Sequence, residues 1–153
     1  MLQLSRPISN IKKIYLSRQK ASSTRRQYNE NEVINIFKKY GFEIVSPEKL
    51  SIVEQISLFD NADFIAGVTG AAFTNILFCK TGCKVLCIQS AKNDLSVFST
   101  IAKCLKLEMQ YFSVYDESRK NKDIHEDFIV DLVKIESVLV DFLSNDQSQV
   151  TKN

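Results

Sequence analysis

Short apolar runs, separated by longer amphipathic stretches, set the rhythm of this chain. Residues 13–17, Lys-Ile-Tyr-Leu-Ser, are rich in β-formers and read as a buried strand. Residues 42–45, 63–66, 84–88 and 109–114 repeat that pattern as four further strands. Between them the apolar period becomes helical. Val33, Ile34, Ile36, Phe37 and Tyr40 share one helix face, with Asn29 and Glu32 as a capping pair at its start and Gly41 as its stop. Ser51 and Glu54 form a second capping signature, opening a helix with Ile52, Val53, Ile56 and Phe59 expected inside. A short helix is predicted from a glycine turn to about Phe78, and Asp94 can cap another that carries Leu95, Phe98, Ile101, Ala102 and Leu105. After a polar loop at 116–126 and an extended Phe128-Ile129-Val130, the residues Leu132, Val133, Ile135, Val138, Leu139, Phe142 and Leu143 mark a last helix. Residues 1–10 and 146–153 read as tails around one domain, 11–145.

Strands alternating with helices through short connections predict an α/β fold: a Rossmann-like, doubly wound, mostly parallel sheet with helices on both faces. Ligands on such sheets sit beyond the carboxyl ends of the strands. Two features fall on that edge. One is the glycine turn after the third strand, Gly67-Val68-Thr69-Gly70-Ala71-Ala72-Phe73-Thr74-Asn75, which holds two of the chain's four glycines. It matches neither G-x-G-x-x-G nor a P-loop, but a strand–turn–helix unit presents free N–H groups to an anion. The other is the loop after the first strand. Residues 12–26 carry Lys12, Lys13, Arg18, Lys20, Arg25 and Arg26 and no acidic residue. Guanidiniums from one and backbone N–H groups from the other suit a diphosphate.

Composition narrows the remaining classes. A chain of 153 residues, 44% apolar and 25% charged, has the make-up of one globular domain with a real core. A net charge of +2 gives no global field for nucleic acid or a membrane surface. No run is long and apolar enough to span a bilayer, and residues 1–10 lack the apolar centre of a signal peptide, so a cytoplasmic location is expected. Cys79, Cys83, Cys87 and Cys104 lie in or beside apolar stretches at a non-zinc spacing and read as reduced thiols. With no D-x-D pair, no metal is expected, and His125, the single histidine, reads as solvated.

Several of these segments together resemble glycosyltransferase family 61. The resemblance is carried by residues 13–18 (KIYLSR), Ala21-Ser22, Arg25-Arg26, Asn29-Glu30-x-Glu32-Val33 and Lys39-Tyr40-Gly41-Phe42-Glu43-Ile44-Val45. It continues through Pro47-Glu48, Leu50-Ser51, Glu54-Gln55, Gly67-x-x-Gly70-Ala71-Ala72-x-Thr74-Asn75 and Leu77-Phe78-Cys79. The order and spacing of these motifs cover about residues 12–90. The resemblance implies one Rossmann-like half of a GT-B-like enzyme, the donor-binding half. It implies inverting transfer from a nucleotide sugar, usually UDP-linked, to a glycan acceptor, in surface or capsular polysaccharide synthesis. Many members carry His where this chain has Thr69. The acceptor-binding half, which usually supplies the base, has no counterpart here, so the chain is expected to be a fragment, a half that pairs with a separate acceptor-domain polypeptide, or a decayed gene product.

On this reading Arg18 pairs with a phosphate through its planar fork, with Arg25 as a second contact. Gly67 shapes the turn. Thr69 and the N–H groups of Gly70, Ala71 and Ala72 hold the β-phosphate, so no cofactor is needed beyond the nucleotide sugar itself. Asn75 either fixes the turn or touches ligand. Glu54 either contacts the ribose or caps its helix. A nucleotide-sensing or assembly subunit of a polysaccharide complex, a self-associating half, and a decayed fragment are the alternatives. A flavin or nicotinamide domain is disfavoured because no G-x-G-x-x-G follows the first strand.

Overall fold

A computed structural model describes residues 7–18, 27–90, 97–114 and 127–144. Five strands form one parallel sheet: β1 (Lys13–Leu16), β2 (Glu43–Val45), β3 (Phe64–Val68), β4 (Lys84–Ser90) and β5 (Glu108–Val114). Their spatial order is β2-β1-β3-β4-β5. The chain therefore enters at β1, steps outward to β2, then crosses back over β1 to build β3, β4 and β5 on the other side. Crossovers in parallel sheets keep one hand, so reversing the direction of travel moves the connecting helices to the opposite face. Helices α1 (Glu30–Lys39) and α4 (Leu132–Ser144) cover one face, and α2 (Ile52–Asn61) and α3 (Val97–Leu105) cover the other.

Side-chain alternation divides the core accordingly. Ile14, Leu16, Ile65, Val85 and Cys87 meet Leu58, Phe59, Phe73, Ile76, Phe98 and Ala102. Tyr15, Phe64, Ala66, Leu86 and Ile88 meet Val33, Phe37, Ile135, Leu139 and Phe142. Because both faces are covered, the central strands are apolar at nearly every position, which is why they read as continuous runs in sequence. Edge strand β5 alternates between exposed and half-buried positions instead.

The helix ends follow the local chemistry with one exception. Gly41 takes φ +81°, and the N–H groups of Gly41 and Phe42 bond the carbonyls of Lys38 and Phe37, closing α1. Ser51 and Glu54 form the expected reciprocal box on α2. The exception is Asn29, whose side chain makes no cap bond to α1. Its amide instead donates to the Val130 carbonyl at 3.0 Å and accepts from the Val130 N–H at 2.8 Å. Gln27 N donates to Asp127 Oδ1, Phe128 N donates to the Gln27 carbonyl, and Tyr28 stacks on Phe128 with ring centroids 5.4 Å apart. This clasp ties the entry of α1 to the segment that leads into α4.

Two further expectations are corrected. Ile52, Val53 and Ile56 of α2 are 59%, 68% and 41% exposed; Phe59 is buried as expected, and Leu58 and Ala62 join it in the core. Residues 8–10 of the expected tail form a 3-10 turn, held where Asn61 Nδ2 donates to the carbonyls of Ile8 and Ile11, both at 2.8 Å. Asp94 and Leu95 lie outside the described residues.

The clasp gives a direct prediction. Asn29→Ala removes both bonds to Val130 and is expected to cost about 1–3 kcal/mol. Urea denaturation reads that loss, and faster amide exchange at Val130 locates it. Asn29→Asp keeps an acceptor for the Val130 N–H and is expected to lose less.

Candidate functional site

The strand order places the topological switch between β1 and β3, the two strands from which the chain departs in opposite directions. Arg18 follows β1 and Gly70 follows β3 at that edge. The two meet: a Cβ built on Gly70 would collide with Arg18 Nη2, and would lie 3.2 Å from Cζ and 3.4 Å from Nε. Gly70 is extended, with φ 166°, a conformation open to any residue. Its requirement is steric, because only a glycine lets the guanidinium lie against the backbone. Arg18 Nη1 is buried and has no hydrogen-bond partner among the described residues. The crevice read from the sequence, with a basic residue facing the glycine turn, is thus present as a contact.

Ala71–Phe78 forms a 3-10 helix, tighter than the ordinary helix. Its burial has a period of three. Phe73, Ile76 and Cys79 are buried, Ala72, Asn75 and Phe78 are half-buried, and Ala71, Thr74 and Leu77 are exposed. Phe73 N bonds the Gly70 carbonyl at 2.9 Å, the first bond of the helix. The N–H groups of Gly70, Ala71 and Ala72 come before the first bond of the helix, so no carbonyl within the helix accepts them. Asn75 stands one 3-10 turn beyond Ala72 on the same half-buried row.

Other sequence candidates fall elsewhere. Gly67 is not in the turn: it lies inside β3, paired with Leu16, and a Cβ there would come within 3.0 Å of Leu16 Cβ and 3.1 Å of the Leu16 carbonyl oxygen. Thr69 is 2% exposed. Its N–H donates to the Ile88 carbonyl at 2.8 Å, and its side chain hydrogen-bonds the Cys87 thiol. Thr69 therefore ties the turn to β4. Glu54 accepts from Ser51 N and Ser51 Oγ, each at 2.8 Å, and these bonds hold its carboxyl below the ordinary value. The cap is thus the role its contacts define. Arg25 lies outside the described residues, as does His125.

Sequence reading passed over Glu30, the first residue of α1. Its Oε1 accepts from the Arg18 backbone N–H at 2.6 Å and from Ser17 Oγ at 3.1 Å. The available signal was an acidic residue in the first helical turn, and that reading had gone to Glu32, which is exposed.

The two glycines separate stability from site geometry. Gly67→Ala presses on backbone in the middle of the sheet and is expected to cost about 1–3 kcal/mol by overpacking. Gly70→Ala meets only the guanidinium of Arg18, a side-chain end and not backbone, and is expected to leave the melting temperature nearly unchanged while displacing that guanidinium. Thermal melts compared with nucleotide binding distinguish the two.

Cys79, Cys83 and Cys87 are buried free thiols and Cys104 is exposed. Burial pushes the Cys87 thiol up to about 12, against a smaller opposing effect of the Thr69 bond. The hydrogen bond with Cys83, followed by burial, raises the Cys79 thiol. Above the ordinary thiol range the unfolded chain releases protons that the folded chain keeps. Stability is therefore expected to fall as pH rises from about 9 toward 12. Denaturation midpoints across that range test the sign, and thiol labelling of the native protein should modify Cys104 first.

Comparison with curated proteins returns no match. The family model for Glycosyltransferase 61 matches residues 2–86, more than half of the chain, and spans β1, β3 and the whole Arg18–Gly70 contact. The chain belongs to glycosyltransferase family 61.

Proposed function

We propose that the chain is the donor-binding half of an inverting glycosyltransferase of GT-B-like architecture. It would transfer a sugar from a nucleotide diphosphate, UDP in the first instance, to a glycan hydroxyl, in the synthesis of a surface or capsular polysaccharide in the cytoplasm. The observation that carries this reading is the Arg18 guanidinium laid against Gly70 with Nη1 buried and unpartnered, beside the N–H groups that open a 3-10 helix. All of these are hydrogen-bond donors. A diphosphate brings acceptor oxygens on two phosphorus centres, so one can meet the guanidinium and the other the backbone.

In the reaction, negative charge builds on the β-phosphate as the glycosidic bond breaks. Donors already fixed in place stabilise that charge without reorganising. Arg18 and the N–H groups of Gly70, Ala71 and Ala72 take this role, Thr69 holds the turn to β4, and Asn75 stands on the flank of the helix. Arg25 would add a second cation from the loop that follows β1. Inversion also requires a base to deprotonate the acceptor hydroxyl. That base is assigned to the acceptor-binding half of the enzyme, outside residues 1–153. The outward-facing Ile52, Val53 and Ile56 of α2, with Leu77 at 49% exposure on the adjoining 3-10 helix, support such a partner. They equally suit the second reading, a nucleotide-binding assembly subunit without catalysis of its own.

Calorimetric titration with UDP tests the site. Saturable binding is expected, weakened about tenfold to a hundredfold in Arg18→Ala through loss of charge-assisted hydrogen bonds. Silence toward UDP and other nucleoside diphosphates would sink the donor reading. Turnover on a simple acceptor by the chain alone would sink the assignment of the base to a partner.

A further inference from the structure

We propose that Glu30 is the positioning residue of this site: one of its carboxylate oxygens fixes the backbone from which the Arg18 guanidinium reaches Gly70. The functional consequence rests on the donor-site reading; the geometry does not.

Arg18 lies just past the last residue of β1, where sheet pairing gives out. The Ser17 N–H still bonds the Val45 carbonyl at 2.8 Å, the final link of the β1–β2 ladder. At Arg18 a side chain replaces the ladder. Glu30 Oε1 accepts the Arg18 N–H at 2.6 Å and the Ser17 hydroxyl at 3.1 Å, so one oxygen fixes two consecutive residues. A carboxylate acceptor makes this bond short and strong. The carboxylate engages Arg18 through its backbone and leaves the guanidinium to Gly70, with Nη1 still unpartnered. A charge-neutralising pair would have consumed the donor the site needs. This arrangement aims it instead.

Beside the carboxylate, the Tyr28 and Tyr15 hydroxyls hydrogen-bond at 2.8 Å, and its charge acts on both phenols. Burial raises both phenols above their ordinary range, so both keep their protons at working pH. Tyr15 is a fully buried residue of β1, packed on Phe37 with ring centroids 4.6 Å apart. Glu30 also occupies the first turn of α1, where the positive end of the helix favours a negative group.

The test separates positioning from general stability. In the free protein, the Arg18 Nε–H signal in nitrogen-15 NMR is expected to be that of a fixed side chain. Its relaxation should become that of a freely rotating one in Glu30→Ala. The Arg18 backbone amide should lose its hydrogen-bonded shift in the same variant. UDP affinity is expected to fall about tenfold to a hundredfold in Glu30→Ala, and less in Glu30→Gln, whose amide oxygen can still accept the Arg18 N–H. In an Arg18→Ala background, Glu30→Ala is expected to cost nothing further, because its effect runs through that arginine. An Arg18 side chain that stays fixed without Glu30 would overturn the proposal, as would losses that add in the double variant. So would unfolding of both Glu30 variants, which would make the residue a structural one. Failure of the wild-type chain to bind UDP would remove the donor reading alone, since the NMR comparison decides the positioning without ligand.

Discussion

A parallel sheet entered at an interior strand must be extended in two directions, and the fixed hand of its crossovers makes those directions unequal. Here the constraint acts at β1. The chain leaves toward β2 with α1 on one face and comes back to β3 with α2 on the other. The gap between the carboxyl ends of β1 and β3 lies where the two connections depart for opposite faces of the sheet. The crevice is thus a product of topology before any side chain is chosen. Arg18 and Gly70, more than fifty positions apart in sequence, meet there because β1 and β3 are hydrogen-bonded neighbours in register from Lys13↔Phe64 to Leu16↔Gly67.

The two glycines of the central motif look equivalent in sequence and solve different problems. Gly67 lies within the sheet, where Leu16 comes so close that a Cβ would have no room. Its role is to let β1 and β3 pack. Gly70 lies past the sheet, and what fills the space of its absent side chain is the guanidinium of Arg18. Its role is to let a charge approach the backbone. One glycine makes the crevice narrow and the other makes it cationic. Thr69 between them is turned inward and linked to β4, so the turn is tied to the sheet immediately before the position that faces Arg18.

Local signals were legible wherever a residue answers to its near neighbours. The central strands, the Ser51–Glu54 box, the Gly41 stop and the apolar face of α1 are of this kind; Arg18 was placed beside the glycine turn by the alternation of strands and helices rather than by a local signal. Where a residue answers to distant partners, local rules pointed elsewhere. Asn29 sits in a capping position, yet its amide is used by Val130, 101 residues away, so the cap is absent. On α2 periodicity placed Phe59 inside correctly but chose Ile52, Val53 and Ile56 to accompany it, whereas the sheet took Leu58. The helix after Gly70 was recognised but not its tightness; the period of three in Phe73, Ile76 and Cys79 is compatible with either winding until tertiary contacts choose. The role of Glu30 was hidden for the same reason as that of Asn29. Its partners, Ser17 and Arg18, are neighbours only after β1 and α1 have packed.

The electrostatics of the crevice carry the case one step further. The opening end of a helix bears partial positive charge on its unbonded N–H groups, and a guanidinium carries a full one. Placing them together raises the energy of the empty site. A buried donor left unpartnered, as Arg18 Nη1 is, adds a cost of its own. The acidic residue closest in bonding terms, Glu30, could have relieved both by pairing with the guanidinium, and instead accepts from the backbone of the same residue. An anion entering between Arg18 and the 3-10 helix would offset the repulsion and satisfy the orphaned donor together. That gain exists only for a ligand with acceptors facing both sides. It favours a bridging diphosphate over a single carboxylate, and it requires that the glycine at position 70 stay a glycine.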